Sequence, residues 1–241
     1  MSANKVHPTA YIGASVKLGS GNIVGAFAFI DGDVTIGNGN WIGPHVTIGT
    51  PAQYSTGKFE FTGEPAAGIR IGDRNILREY MTVHQPSRNL TIIEDDCYVM
   101  AYCHVSHDTR ICRGAIITNN AQIGGHSEIQ QFAFIGLSCV THQFSTIGAY
   151  AFVGMGSIVA KDVPPFMKAF GNPVRLAGVN TVGLARNGFK PKEIEAIEEA
   201  VARRQMPQGV GELIDEVVAK YERRTAETKR ASAKLRVESG G

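Results

Sequence analysis

The stretch "YIGASVKLGSGNIVGAFAFIDGDVTIGNGNWIG", residues 11–43, repeats itself every six residues. Ile12, Leu18, Val24, Ile30, Ile36 and Ile42 are aliphatic at that spacing, and a glycine follows most of them (Gly13, Gly19, Gly25, Gly37, Gly43). An amphipathic helix would space its apolar residues at about 3.6, so the run is not helical. A six-residue period belongs to a solenoid. Each short strand turns one aliphatic side chain inward, and stacked neighbours bury a column that no single repeat buries alone. Glycine, or another residue that tolerates left-handed backbone, then serves the corners.

Outward from this stretch, Val6 and Ile48 extend the series, which loses phase in "TPAQYSTGKFEFTGEPAAGIR" and returns at Ile71, Leu77 and Val83. A second interruption opens with "HQPSRN", rich in turn formers, and the count restarts at Ile93. Val99, Val105, Ile111, Ile117, Ile123, Ile129, Ile135, Ile147, Val153 and Val159 keep the phase from there, with Thr141 the one break. The interruptions read as loop insertions near residues 50–70 and 84–91. Three hexapeptides make one triangular coil, so residues i and i+18 lie one above the other, about 4.8 Å apart.

After "KDVPPFMKAFGNPVRLAG" the composition changes, and Pro164, Pro165 and Pro173 end the solenoid. The reading is an all-β solenoid, a parallel β-helix over residues 1–175, followed by a small α-helical region over 176–241. "PKEIEAIEEAVARR" puts Ile194, Ile197 and Val201 on one face, with Pro191 at its start and Arg203 and Arg204 at its end. "VGELIDEVVAKYERR" repeats the pattern with Leu213 or Ile214, Val217 or Val218, and Tyr221, and the remainder from Thr225 reads as a frayed basic tail.

The 241 residues are 43% hydrophobic, and 24 Lys and Arg nearly balance 22 Asp and Glu. No global field points to nucleic acid. The N-terminal segment lacks a signal pattern and no apolar run approaches the ~18 residues of a membrane span, so a cytoplasmic protein is expected. Cys97, Cys103, Cys112 and Cys139 fall outside any CxxC pattern and are expected to stay reduced as small buried side chains.

The coil arithmetic acts on "AYCHVSHDTR", residues 101–110. His107 stacks beneath Gly125 and Gln143, beside His126 and His142, and His104 lies on the same coil at the neighbouring strand end. Three sequence-distant segments thus converge on one edge. A scaffold has no need of polar residues gathered there. Neutral imidazoles are zinc ligands, which makes a metal site one reading. An acid–base pair fits better: His107 as base, Asp108 as the carboxylate that orients it and stabilises the imidazolium. No nucleophile elbow suggests a covalent intermediate, so direct attack on an acyl thioester follows, with a backbone N–H near Gly125 meeting the oxyanion.

"IGDRNILREYMTVH", "MAYCHVSHD", "ITNNAQIGGH", "VTHQFSTIG", "DVPPFMKAFGN" and "GVNTVGLARNGF" resemble the UDP-N-acetylglucosamine 3-O-acyltransferase family of hexapeptide-repeat enzymes, over residues 6 to 189. The resemblance implies a left-handed helix and a homotrimer with sites between adjacent subunits. It implies a soluble enzyme of the first step of lipid A synthesis, taking a 3-hydroxyacyl group from acyl carrier protein and needing no cofactor beyond the donor's phosphopantetheine. His107 is then the base, Asp108 its support and Gly125 the oxyanion donor. His104, His126, His142, Gln143, Gln53, Asn180 and Arg186 become substrate-binding residues, and Arg203, Arg204 and the tail attract the acidic carrier. No metal is expected, because the histidine spacings do not reproduce the pattern of the related gamma-class carbonic anhydrases.

Three departures stand out. The substrate loop is longer, with Gln53 matched, Lys58 aligned only across a gap and no counterpart to the family's aspartate. Val182 and Asn187 replace more polar or basic residues, and the helical region is shorter. Met155 stands where long-chain enzymes carry glycine, which implies a medium-length acyl chain. The altered loop motivates a second reading, acylation of nitrogen on a 3-amino sugar nucleotide or another amine; a non-enzymatic trimeric scaffold is the third.

Overall fold

The computed structural model describes residues 2–53 and 68–233. Strands of mostly two or three residues stack into three sheets of ten, eight and seven strands, parallel except for one closing hairpin. The step between coils is the expected eighteen residues: Lys5 pairs with Ile23 and Ile23 with Trp41, and later Ile116 with Phe134 and Phe134 with Phe152. Across the two insertions Trp41 pairs with Ile76 and Ile76 with Tyr98, so the column Ile42, Leu77, Val99 runs on. Most of the first insertion, Lys58 with it, lies outside the described residues.

The periodic aliphatic residues are the core, with Ile30, Ile36, Ile42, Ile48, Leu77, Ile93, Ile117 and Ile123 fully buried. Val6, in the first coil, stays exposed. All four cysteines are buried free thiols, and Cys103 and Cys139 donate to the carbonyls of Thr118 (3.1 Å) and Gly154 (3.0 Å). Burial pushes the Cys103 thiol up to about 11, so it stays protonated at neutral pH.

The glycines of the repeat play a different part from the one expected. A Cβ on Gly19 would stand 2.5 Å from the Gly37 carbonyl oxygen, and one on Gly25 would stand 2.6 Å from the Pro44 nitrogen. They are small because the next coil passes over them. The left-handed corner positions go to other glycines, such as Gly21 and Gly39, and to side chains such as Phe27, His45, Tyr80 and Tyr102. Their rings stack at 5.1, 4.7 and 5.0 Å, and the stacking offsets a backbone cost of ~1–2 kcal/mol per residue.

A second ladder is polar. Asn4, Asn22, Asn40 and Asn75 occupy one corner, each Oδ1 accepting the backbone N–H of the next member, and Asn75 accepting from Cys97 at 2.8 Å. These bonds replace corner backbone bonds that a triangular coil does not make.

After the last coil, Met167–Phe170 and Arg175–Val179 form the antiparallel hairpin. Residues 176–179 therefore belong to the sheet, and helix begins with α1 (Thr181–Arg186), then α2 (Pro191–Ala202) and α3 (Glu212–Thr228). In α3 the buried face is Ile214, Val217, Val218 and Tyr221, with Leu213 turned outward. The expected frayed tail is not frayed from Thr225: the helix continues to Thr228, and Ser232 bridges to Asp162 in the last coil. The segment is basic yet docked, because Arg230 donates to the Ala160 carbonyl at 2.6 Å and faces the Asp162 carboxylate.

Replacing buried Asn40 by Ala strips an acceptor from the Asn75 N–H and a donor from the Gly72 carbonyl. The expected loss is about 1–3 kcal/mol in denaturant unfolding, and an unchanged midpoint would mean the ladder does not carry the corner.

Candidate active site

His107 and Asp108 leave one strand end together, Asp108 in the left-handed region with φ of 59°. That turn brings its carboxylate back to the imidazole, 2.7 Å from Nδ1 to Oδ2. The second insertion closes over the same carboxylate. Ser87 donates its N–H (2.9 Å) and hydroxyl (2.7 Å) to Oδ2, and the N–H groups of Arg88 (2.8 Å) and Asn89 donate to Oδ1. Successive backbone N–H groups aimed at one anion form a nest. Burial is the strongest single influence on Asp108 and acts upward. The bonds from His107, Ser87 and Asn89 outweigh it and hold the carboxyl well below the usual range.

Gly125 lies against the His107 ring: a Cβ there would stand 2.6 Å from Cε1 and 2.8 Å from Nε2. Only glycine admits the imidazole. The one break in the aliphatic phase, Thr141, sits one coil above, and its hydroxyl accepts the Gly124 N–H at 2.9 Å. Among the described residues the Gly125 N–H meets no acceptor, the usual state of this corner position, which proline fills at Pro44. His126 follows, its N–H on the His107 carbonyl (3.1 Å), its ring edge-on to His107 (5.1 Å) and stacked on Phe144 (4.4 Å). Burial lowers the His126 imidazole, Asp108 opposing.

His104 is on the same coil as expected, but both ring nitrogens have partners, Nδ1 with the Thr82 hydroxyl (2.7 Å) and Nε2 with the Ser106 hydroxyl (2.9 Å). Its ring meets His84 edge-on at 4.4 Å. His84 was not singled out by the register, nor were Ser87, Arg88 and Asn89. The inserted residues shift the count: Thr82 pairs with His104, twenty-two positions on, and His84 pairs with Thr50 across a bulge. His84 is buried, and burial together with His104 and His107 lowers its imidazole to about 4.

His142 and Gln143 lie on the same edge, exposed, His142 Nδ1 2.9 Å from the Gln143 carbonyl. Gln53 is exposed three residues past Thr50, at the border of the described chain. Asn180 caps α1 by accepting the Gly183 N–H (3.2 Å) and donates to the Tyr150 carbonyl (2.9 Å). Arg186 is exposed at the end of α1, and Met155 is 74% exposed, so it does not pack between the coils of its own chain. Among the described residues Gln53, Asn180, Arg186 and Met155 make no hydrogen bond or ion pair with the His107 cluster.

One donor atom each from His107, Asp108 and His126 come within 4.8 Å of one another, close enough for a cation. The donor chemistry argues otherwise. Both Asp108 oxygens already accept from N–H or O–H groups and Nδ1 of His107 faces one of them, so a cation would have to displace that set.

Known proteins resemble this chain in sequence and in fold. Residues 162–234 match the family model described as "Udp N-acetylglucosamine O-acyltransferase; Domain 2", and residues 90–125 match that of the bacterial transferase hexapeptide. An acyl-[acyl-carrier-protein]–UDP-N-acetylglucosamine O-acyltransferase of Burkholderia mallei is 40% identical over 144 residues, covering 58% of this chain and 55% of the relative. The protein of that name from Verminephrobacter eiseniae is 41% identical over 143 residues, covering 58% and 54%. Over these stretches the chain is similar to UDP-N-acetylglucosamine O-acyltransferases. It spans about half the length of the curated relatives it matches. The solved UDP-N-acetylglucosamine acyltransferase of Arabidopsis superposes with a TM-score of 0.69 at 29% identity, over 93% of this chain and 89% of that one. That of Campylobacter jejuni gives 0.76 at 23%, over 97% and 98%, a likeness of fold. The solenoid is the left-handed parallel β-helix of hexapeptide repeats.

Acid should loosen the site. Folded His84 takes its proton near 4, and unfolded histidine near 6.5, so between these values the unfolded chain holds more protons and stability falls as pH is lowered. Asp108 acts the same way lower down: its depressed carboxyl contributes stability above the unfolded value of ~3.9, lost as pH falls through the folded one. The unfolding midpoint is expected to drop between pH 7 and 5, and His84→Gln to flatten that dependence; an equal slope in the variant would assign the acid response elsewhere.

Proposed function

We propose that this chain is an acyltransferase moving a 3-hydroxyacyl group from acyl carrier protein to the 3-hydroxyl of UDP-N-acetylglucosamine, the first step of lipid A synthesis, in the cytoplasm and without a resident metal or cofactor. The observation that carries the reading is His107 held at 2.7 Å by a buried, multiply hydrogen-bonded Asp108, with Gly125 against the face of its ring. The names of the curated relatives supply the substrate classes.

With the Nδ1 proton held by Asp108, Nε2 is the basic nitrogen. It takes the proton of the sugar hydroxyl as that oxygen attacks the thioester carbonyl. The tetrahedral oxyanion forms near the Gly125 N–H, then collapses, breaking the carbon–sulfur bond. The departing thiolate recovers the proton from the imidazolium. Asp108 does not take that proton; its depressed pKa keeps it an anion beside the cation. His104, His126, His142, Gln143, Gln53, Asn180 and Arg186 hold the sugar nucleotide or the pantetheine arm. His104 contributes through the shape of the pocket wall, since both its nitrogens are engaged.

A homotrimer completes the cleft. Phe27, Tyr80 and Tyr102 stay exposed along one corner of the solenoid, and Leu137 and Met155 precede the corner residues two and three coils on. Such an apolar stripe is what a partner subunit covers. Among the described residues no helix is long and apolar enough to cross a membrane.

The test is an acyl-transfer assay with UDP-N-acetylglucosamine and its 3-amino analogue, using hydroxyacyl carrier proteins of several lengths. Turnover of the hydroxyl sugar is expected, reduced about 10²–10⁴-fold in His107→Ala. Activity retained in that variant removes the base assignment, and turnover of the amino analogue alone selects nitrogen as the acceptor. Met155 gives a second prediction: hydroxydecanoyl is preferred over hydroxymyristoyl, and Met155→Gly moves the preference to the longer chain. A wild type that already prefers the longer donor would refute the ruler.

A further inference from the structure

We propose that Arg224 is a positioning residue of this site: from the far side of the solenoid corner, α3 uses it to lock the backbone that carries Gly125 and His126. The inference rests on the function proposed above and adds a residue to it.

His126 sits in the left-handed region with φ of 59°, a strained setting for a histidine. Its N–H is held by the His107 carbonyl at 3.1 Å, and its own carbonyl accepts from Arg224 Nη2 at 2.6 Å. The residue directly after the candidate oxyanion donor is thus gripped on both sides, once by the coil below and once by a helix 98 positions later in the chain. The guanidinium is largely enclosed and forms ion pairs with Glu128 (3.6 Å), two residues after His126 at the start of the next strand, and with Glu227 (3.6 Å) on its own helix. A flexible surface arginine would not fix a peptide; one anchored by two carboxylates does. Arg230 repeats the device about two coils on, donating to the Ala160 carbonyl at 2.6 Å with Nη1 3.3 Å from His142 Nδ1.

The groups facing the His126 ring are Asp108 (3.8 Å), His107, Phe144, Arg88 and Arg224, the last two acting to lower its pKa. That supplies a readout independent of turnover. In full-length protein, Arg224→Met is expected to move the NMR titration of the His126 imidazole upward, through loss of the nearby cation. It is also expected to reduce kcat roughly ten- to hundredfold by misplacing the corner. Arg224→Lys, which keeps charge and a donor, should restore most of both. Lys220→Met is the control: Lys220 ties the same helix to Gln131 (3.2 Å) without touching His126, and its loss should leave titration and kcat unchanged. Arg224→Gln, which keeps a donor but no charge, covers the case in which the Met variant does not fold. An unmoved His126 titration with wild-type kcat and KM in the Arg224 variants overturns the inference. Wild type inactive on either sugar while the titration still shifts would overturn the proposed function instead.

Discussion

Every coil of this molecule depends on the one beneath it. A strand of two residues cannot hold itself, and a lone aliphatic side chain buries nothing until the equivalent residue eighteen positions away covers it. The stacking register is therefore the constraint from which the rest follows. It requires small residues where coils pass closest, as at Gly19 and Gly25, and it repeats whatever stands at a corner into a ladder. The ladders of asparagine and of aromatic rings are consequences of the same geometry.

The site is a place where that regularity is interrupted. At Thr141 the aliphatic column gives way to a hydroxyl that takes over a backbone bond from Gly124, and at Gly125 the absent side chain leaves room for the His107 ring. The second insertion folds back to deliver three consecutive N–H groups to Asp108. A rigid solenoid supplies placement, and a few local departures from it supply chemistry.

This division explains what could be read from the sequence. The period placed His107 under Gly125 because arithmetic in sequence is distance in a solenoid, and His104 opposite Gln122 is that arithmetic realised. It failed at His84 and Ser87, where an insertion shifts the count so that neither falls in line with the histidines above. It also misjudged the chain beyond Thr225. Clustered basic residues after a helix read as solvated, and nothing local reveals that Arg224 and Arg230 meet carbonyls and carboxylates from coils 98 and 70 residues earlier. The corners do take glycine, as at Gly21 and Gly39, and also side chains able to stack, as at His45 and Tyr80.

The electrostatics of the corner are asymmetric in a way that suits proton transfer. Burial pushes the Asp108 carboxyl up, yet the hydrogen bonds converging on it outweigh that and favour the anion, while burial lowers His84, His104 and His126 toward the neutral form. His107 is thus bonded to an anion and surrounded by imidazoles that burial keeps toward the neutral form. Removing the carboxylate would leave the nest of Ser87, Arg88 and Asn89 N–H groups without their acceptor as well as the imidazole without its partner, so loop, carboxylate and base stand or fall as a unit.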